Sequence, residues 1–243
     1  VAGVFVTSAN AQSAKTNAWE GAYGQVSVGF AQFMPKVSGT TATPTPGSQL
    51  SPYLVSPPGP LSASGSANTL STGTAALGAG YNFGINKDYV LGVGVNYYPG
   101  ASSAATGSFS LTAPGVPSMP GNPYALNKNP PVSYNIKNLW SVTLNPGYAI
   151  DKDRLVYAKI GYTSTTIGLN GPIASYQTTN LSGLSLGLGY KQMITESLYL
   201  LGEANYGTFS NKNTTLATTI GTNVNTTLGG SGYDLLVGVG YRF

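Results

Sequence analysis

Any chemistry in this chain must come from very few groups. Of 243 residues, 11 are Lys or Arg, 7 are Asp or Glu, and there is no histidine and no cysteine. Without imidazole a Ser-His-Asp arrangement cannot be assembled, and acid/base work near neutral pH loses its usual carrier. Without imidazole or thiolate a transition-metal site has no strong donor, and no acidic run has the spacing of a calcium loop. Asp88, Asp151, Asp153 and Glu196 fall in short polar turns, which leaves Glu20, Glu203 and Asp234. Glu203 and Asp234 could form a carboxylate pair, but lysines on the same face make an ion pair the better expectation. Glycine spacings such as Gly92-x-Gly94 precede no helix, so they form no phosphate loop. The expectation is a non-enzymatic protein with no cofactor and no metal.

The elements that position these charges show in the alternation of side chains. In the final stretch, Tyr233, Leu235, Val237, Val239, Tyr241 and Phe243 share one face of an extended strand. Asp234, Gly238, Gly240 and Arg242 share the other, with Leu236 the exception. A face made mostly of glycine is too small to be a solvent face but suits the inside of a narrow barrel. Apolar outside and small or polar inside is the pattern of a membrane-spanning β-barrel. The same alternation recurs over 22–33, 74–83, 89–98, 133–150, 154–165, 181–193 and 198–209. Pro146 interrupts its strand and predicts a bulge or a lost ladder bond.

The predicted fold is therefore all-β, an eight-stranded antiparallel up-and-down transmembrane barrel. Three connections are short and charged. Four are long and nearly neutral, at about 34–73, 99–132, 167–180 and 210–226. Short periplasmic turns, long outer loops and periplasmic termini are the arrangement this alternation predicts. Eight strands leave a lumen that side chains can fill.

Charges test the faces independently, because a Lys or Arg aimed at lipid near the midplane costs about 2–4 kcal/mol. Lys137, Lys159, Lys191, Glu203, Asp234 and Arg242 all fall on the face assigned to the lumen. Lys159, Glu203, Asp234, Lys191 and Arg242 form the predicted luminal cluster, in which Lys159 pairs with Glu203, Asp234 or both. The cluster reads as a plug, or else as a gate. Tyr81, Tyr97, Trp140, Tyr148, Tyr162, Tyr190 and Tyr206 fall outward near strand ends, as an aromatic girdle does.

Only 7% of the chain is charged, against about 25% in an ordinary soluble domain. With 17 Tyr, 7 Phe and 2 Trp it does not have the composition of a disordered chain. Its net charge of +4 comes from scattered basic residues, so no nucleic-acid face is expected. No run of about 18 apolar residues could cross a membrane as a helix. Residues 1–11 end Ser8-Ala9-Asn10-Ala11, like the tail of a signal peptide with a small-x-small cleavage site; the other reading is a retained extension. Residues 12–21 form an N-terminal segment before the barrel at 22–243.

Gly238, Tyr241 and Phe243 match the Gly-x-x-aromatic-x-Phe ending of bacterial outer-membrane proteins. The chain from Ala22 to Phe243 resembles, as a pattern, the OmpA-like and OmpX-like eight-stranded barrels. The resemblance is motif-specific only at those three residues, and the peptidoglycan-anchoring role of such proteins is not expected here. It implies an outer-membrane location and recognition of the last strand by the barrel-assembly machinery. The low charge of the outer loops points to a structural or surface-interaction barrel that contacts a second copy or another surface. The alternative is a narrow, porin-like channel for small solutes.

Overall fold

The computed structural model describes residues 16–45, 61–112, 131–171, 174–218 and 221–243. They form a single antiparallel sheet of β1 (Gly21–Pro44), β2 (Leu61–Ala67), β3 (Leu70–Gly84), β4 (Tyr89–Ala101), β5 (Ala105–Thr112), β6 (Pro131–Ala149), β7 (Arg154–Gly171), β8 (Ala174–Met193), β9 (Leu198–Ala217) and β10 (Thr222–Arg242). Eight of these close a ring in the order β1-β3-β4-β6-β7-β8-β9-β10, with β10 returning to β1 from Tyr23↔Arg242 to Pro44↔Thr222. Closure removes both sheet edges and pairs the backbone within the wall.

Three tight connections define one end, here the turn end. Each is tied by a side chain that substitutes for a backbone acceptor, as Asn, Asp and Thr do in turns. Asn86 Oδ1 accepts from the N–H of Asp88 and Tyr89, Asp151 Oδ1 from that of Asp153, and Thr195 Oγ1 from those of Ser197 and Leu198. Arg154 also donates to Asp151 at 2.7 Å, and that bond holds the Asp151 carboxyl below its ordinary range.

The predicted sidedness is the observed one through the middle of the wall. Val26, Val28, Leu77, Val95, Leu144, Ile160, Leu188, Val237 and Val239 are exposed on the outside. Gln25, Ser27, Asn96, Thr143, Ser185 and Asn205 are buried on the inside. Leu236, out of pattern in the sequence, points inward and is only 3% exposed. The apolar outer band ends in aromatic pairs. Tyr89–Tyr148, Tyr81–Phe83 and Tyr241–Phe243 lie at the turn end, and Trp140–Tyr162 and Phe30–Tyr233 lie at the other margin. Tyr89 and Tyr97, Trp140 and Tyr148, and Tyr233 and Tyr241 are each eight residues apart. Eight residues span about 27 Å along a strand, or roughly 21 Å of height at a tilt near 40°.

Several expectations change. The segments expected as long loops are strand over much of their length: β1 runs to Pro44, β7 to Gly171, β8 starts at Ala174, β9 runs to Ala217 and β10 starts at Thr222. Additional strands, β2 and β5, pair from Ser62↔Thr112 to Ala67↔Gly107 and join β1 and β6 above the ends of β3 and β4. The barrel wall thus continues well past the aromatic margin. Its outward Ser, Thr and Asn residues bond across strands: Thr166 to Asn180 at 2.8 Å, Thr215 to Asn225 at 2.6 Å and Thr227 to Asn213 at 2.7 Å. Polar rungs of this kind carry no hydrophobic period, so the sequence reads as loop. The N-terminal expectation at residues 1–11 and the stretches 46–60 and 113–130 lie outside the described residues.

Lys137 is also misplaced by simple alternation. Asn138 adopts φ 50°, and the register with β7 shifts between Lys137 and Trp140. This bulge turns Lys137 outward, where its Nζ donates to the exposed Tyr176 hydroxyl at 2.9 Å. It stands beyond Trp140, outside the apolar band. Pro146 causes no register shift. It is exposed, its pairing with β4 is kept as Leu91↔Pro146, and only the β6–β7 ladder is interrupted beside it.

The inward face works because aromatic rings lie over glycines directly across the ladder. Tyr23 pairs with Gly80, Tyr157 with Gly189 and Tyr199 with Gly240. A methyl on Gly189 would stand 2.2 Å from the Tyr157 ring, and one on Gly240 2.2 Å from the Tyr199 ring. Overpacking of this kind costs about 1–3 kcal/mol. Gly189→Ala and Gly240→Ala should each lower the unfolding free energy of the barrel in urea by that amount, whereas Gly24→Ala, whose new methyl meets nothing within 4 Å, should leave it unchanged. The check is gel-shift unfolding of the three variants.

Candidate functional site

The lumen is filled in layers, and each layer traces to one strand position. At the turn end, residues 16–20 fold beneath the barrel. Asn17 Nδ2 donates to the Asn86 and Lys87 carbonyls at 2.9 Å each, and the Asn82 amide donates to the Trp19 carbonyl at 3.1 Å. These bonds set the Trp19 ring into the mouth, 1% exposed, edge-on to Tyr199 at 6.0 Å. Val90, Ala149, Leu155, Met193 and Leu201 complete this apolar cork.

Above it lies a charged belt. Lys159 on β7 and Glu203 on β9 form an ion pair at 2.7 Å, buried on both sides. Glu203 also accepts from the Tyr157 hydroxyl, from Gln25 Nε2 at 3.3 Å and from Asn205 Nδ2 at 3.4 Å. Tyr199 donates in turn to Gln25 Oε1 at 3.1 Å. The belt therefore closes across the lumen from β7 through β9 to β1. Asp234 does not pair directly with Lys159. Its carboxylate accepts from Asn205 Nδ2 at 2.7 Å and from the Tyr98 hydroxyl at 3.0 Å. Asn205 thus stands between the two carboxylates that might have shared a proton. Both can only accept, which fixes the Asn205 amide with its nitrogen toward them.

Lys191 finds no carboxylate. Its ammonium lies 3.9 Å from the Tyr23 ring centroid, 4.7 Å from Tyr199 and 5.2 Å from Tyr157, and it donates to the Tyr199 hydroxyl at 3.4 Å. Desolvated cation–π contacts of this kind contribute about 2 kcal/mol each. Within the belt, the space between Tyr23, Gln25, Asn145, Tyr157, Lys191 and Glu203 is about 10 Å³. That is room for about one water molecule.

The structure therefore brings together Lys159, Glu203, Lys191 and Asp234, the last through Asn205. It does not bring Arg242 to them. Arg242 pairs in register with Tyr23 at the turn end, half-buried, and donates to the Glu196 carbonyl at 2.6 Å. The cork and belt separate it from the pair. Gly238 and Tyr241 lie on β10 and Phe243 follows its end, with Tyr241 and Phe243 outward and their rings 5.0 Å apart. Tyr81, Tyr97, Trp140, Tyr148, Tyr162, Tyr190 and Tyr206 are all exposed on the outer face.

Sequence reasoning missed the tyrosine cage, the Trp19 cork, and the bridging roles of Gln25, Tyr98 and Asn205. The cage was within reach: Val156 and Leu200 face outward, so Tyr157 and Tyr199 must face inward. Among the described residues no cluster of acids could hold a metal ion.

Removing one member of a buried ion pair leaves the other uncompensated, at about 3–5 kcal/mol. Lys159→Met and Glu203→Gln should each destabilise the barrel by about that much. The double variant should recover most of the loss, with the difference read as the coupling in a double-mutant cycle of urea unfolding.

A family model described as an outer membrane protein beta-barrel domain matches residues 1–243. Among solved structures, the chain is similar to the outer membrane protein OprG from Pseudomonas aeruginosa at 12% identity and a TM-score of 0.55, covering 94% of this chain and 99% of that one. It is also similar to Ail, the attachment invasion locus protein of Yersinia pestis, at 15% identity and a TM-score of 0.44, covering 92% and 99%. The outer membrane protease OmpT from Escherichia coli aligns at 10% identity and a TM-score of 0.46, covering 93% and 97%. No curated protein matches the sequence.

Proposed function

The chain belongs to the outer-membrane protein β-barrel family, and from that premise we propose that it is a sealed, non-enzymatic scaffold that carries a surface for contact. It sits in the bacterial outer membrane with its aromatic-bounded band in lipid. In this reading the turn end and both termini face the periplasm, and the tall end faces outward.

The observation that carries the reading is the filled lumen. Among the described residues the Lys159–Glu203 pair, the caged Lys191 and the Trp19 cork fill the lumen at the belt, which argues against a narrow channel for small solutes. What the barrel offers instead is its wall beyond Trp140, closed by β2 and β5. Among the described residues of that wall the charges are Lys36, Lys137 and Lys212. The remainder is largely Ser, Thr and Asn, already bonded to one another, and such a surface resists neither a second copy nor a neighbouring cell surface by charge repulsion. The outward Tyr241 and Phe243 fit recognition of the last strand by the assembly machinery.

Purified protein in planar bilayers should show no steady conductance. The Glu203→Ala variant, which opens the belt, should show brief openings where the native chain shows none. A steady ohmic current from the native chain would overturn the sealed scaffold. Phe243→Ala should reduce the folded barrel recovered from cells several-fold, while the same chain refolds normally from urea into detergent. Equal recovery in cells would remove the assembly role. Contact through the tall end is checked by crosslinking intact cells: loss of adducts when 46–60 and 113–130 are shortened supports it, and unchanged adducts oppose it.

A further inference from the structure

Among the described residues the ladder stops short at more than one place in the upper wall, as between β8 and β9 beyond Gly183↔Phe209, and the stop between β3 and β4 lies beside a cavity. β3 and β4 are paired from Gly84↔Val90 up to Leu77↔Tyr97, and the ladder stops there. Their continuations β2 and β5 are paired again from Ala67↔Gly107, with Asn68 donating to Thr106. Among the described residues no pairing joins Leu70–Ala76 to 98–104. The cause is local. Pro99 has no N–H to offer a neighbour, and Gly100 takes φ 90°. The register with β6 shifts between Tyr98 and Ala101, and Ser102 is drawn to β6 by its N–H to the Ile136 carbonyl at 2.8 Å. β4 thus bends away from β3, and the gap begins level with Tyr97, at the outer aromatic margin.

Behind the gap, above the sealed belt, lies a cavity of about 150 Å³. Phe33, Leu70, Ile136, Leu139 and Phe209 line its upper part, with Phe33 and Phe209 in an edge-to-face pair at 5.8 Å. Its floor carries Lys159 and Asp234. The Lys159 ammonium has three donors and spends one on Glu203. The Asp234 carboxylate accepts two bonds, which leaves lone pairs unfilled. A mainly apolar chamber that also presents Ser141, Thr163, Thr165 and Ser185, over a floor that can both donate and accept, suits one kind of guest. A dry apolar cavity of about 150 Å³ accepts a benzene-sized ring, and here the floor adds a partner for a hydroxyl.

We infer that this chamber is a binding site for a small hydroxylated aromatic molecule of phenol size, reached sideways through the gap between β3 and β4. The ring lies against Phe33 and Phe209, and the hydroxyl meets Lys159 and Asp234. The site rests on the sealed belt, with which it shares Lys159, and does not require conduction through the barrel.

The probe is 4-fluorophenol, followed by fluorine NMR against the native protein in nanodiscs, with empty nanodiscs as the blank and fluorobenzene as the comparison. Native protein should bind 4-fluorophenol saturably and at least fivefold more tightly than fluorobenzene. Gly207 lines the chamber, and a methyl there meets only ordinary contacts at 3.7 Å. Gly207→Leu should therefore fill the chamber and weaken binding at least tenfold while the heat shift of the folded barrel is kept. Ala31→Leu, from the opposite wall, serves as the second filling variant should Gly207→Leu not fold. Absence of saturable binding, equal affinity for fluorobenzene, or binding untouched by the folded filling variants would each overturn the assignment.

Discussion

Lys159 stands on β7 and Glu203 on β9, so their contact has to cross β8, and it can do so only because β8 presents glycines there. A methyl at Gly187 would fall 3.3 Å from the Lys159 stem and 2.4 Å from the Asn205 oxygen, and one at Gly189 would collide with the Tyr157 ring. The bare stretch of backbone lets a lysine and a tyrosine lie flat and converge on one carboxylate. Bringing two ions out of water is costly unless their remaining hydrogen-bonding capacity is met. Here Tyr157, Gln25 and Asn205 meet that of Glu203. The rest of the interior follows from this crossing, since the Tyr157 ring that reaches Glu203 also flanks Lys191 beside Tyr23 and Tyr199.

The wall and the interior constrain one another. A closed eight-strand ring leaves a lumen only as wide as its side chains, so the belt rings Tyr23, Tyr157 and Tyr199 each lie opposite a glycine. That requirement produces the small face of each strand. The large apolar face that remains must then look outward, and in water such a surface would drive aggregation. In a bilayer it is matched to hydrocarbon, and Tyr and Trp at both margins sit where one end of the ring is dry and the other wet. Beyond the margin the constraint lifts, and the outer face changes from Val and Leu to cross-bonded Thr and Asn. Where Pro99 and Gly100 deny β4 its neighbour, the ladder with β3 is lost.

The ring of eight strands, its sidedness and the Lys159–Glu203 pair were legible in the sequence because each rests on period-two alternation. What escaped did so for specific reasons. The bulge at Asn138 inverts parity for Lys137, and nothing in the residue types announces a φ of 50° at an asparagine. The upper strands read as loops because Thr and Asn occur on both faces, leaving no contrast for a period to detect. Arg242 has the right parity for the lumen but the wrong height, and alternation gives face without depth. The Trp19 cork lies outside any strand and is placed by Asn17 and Asn82 bonds that have no sequence signature.

The chain holds two tryptophans, and they stand on opposite sides of the wall: Trp19 is 1% exposed inside the mouth, and Trp140 is 37% exposed on the outer face. Quenching by lipids brominated along their acyl chains, measured on Trp19→Phe and Trp140→Phe variants in vesicles, reads that sidedness directly. The account predicts strong quenching of the variant that keeps Trp140 and little quenching of the one that keeps Trp19. Quenching of Trp19 with Trp140 left untouched would mean that the oily face is turned inward and that the barrel does not meet lipid in the way described.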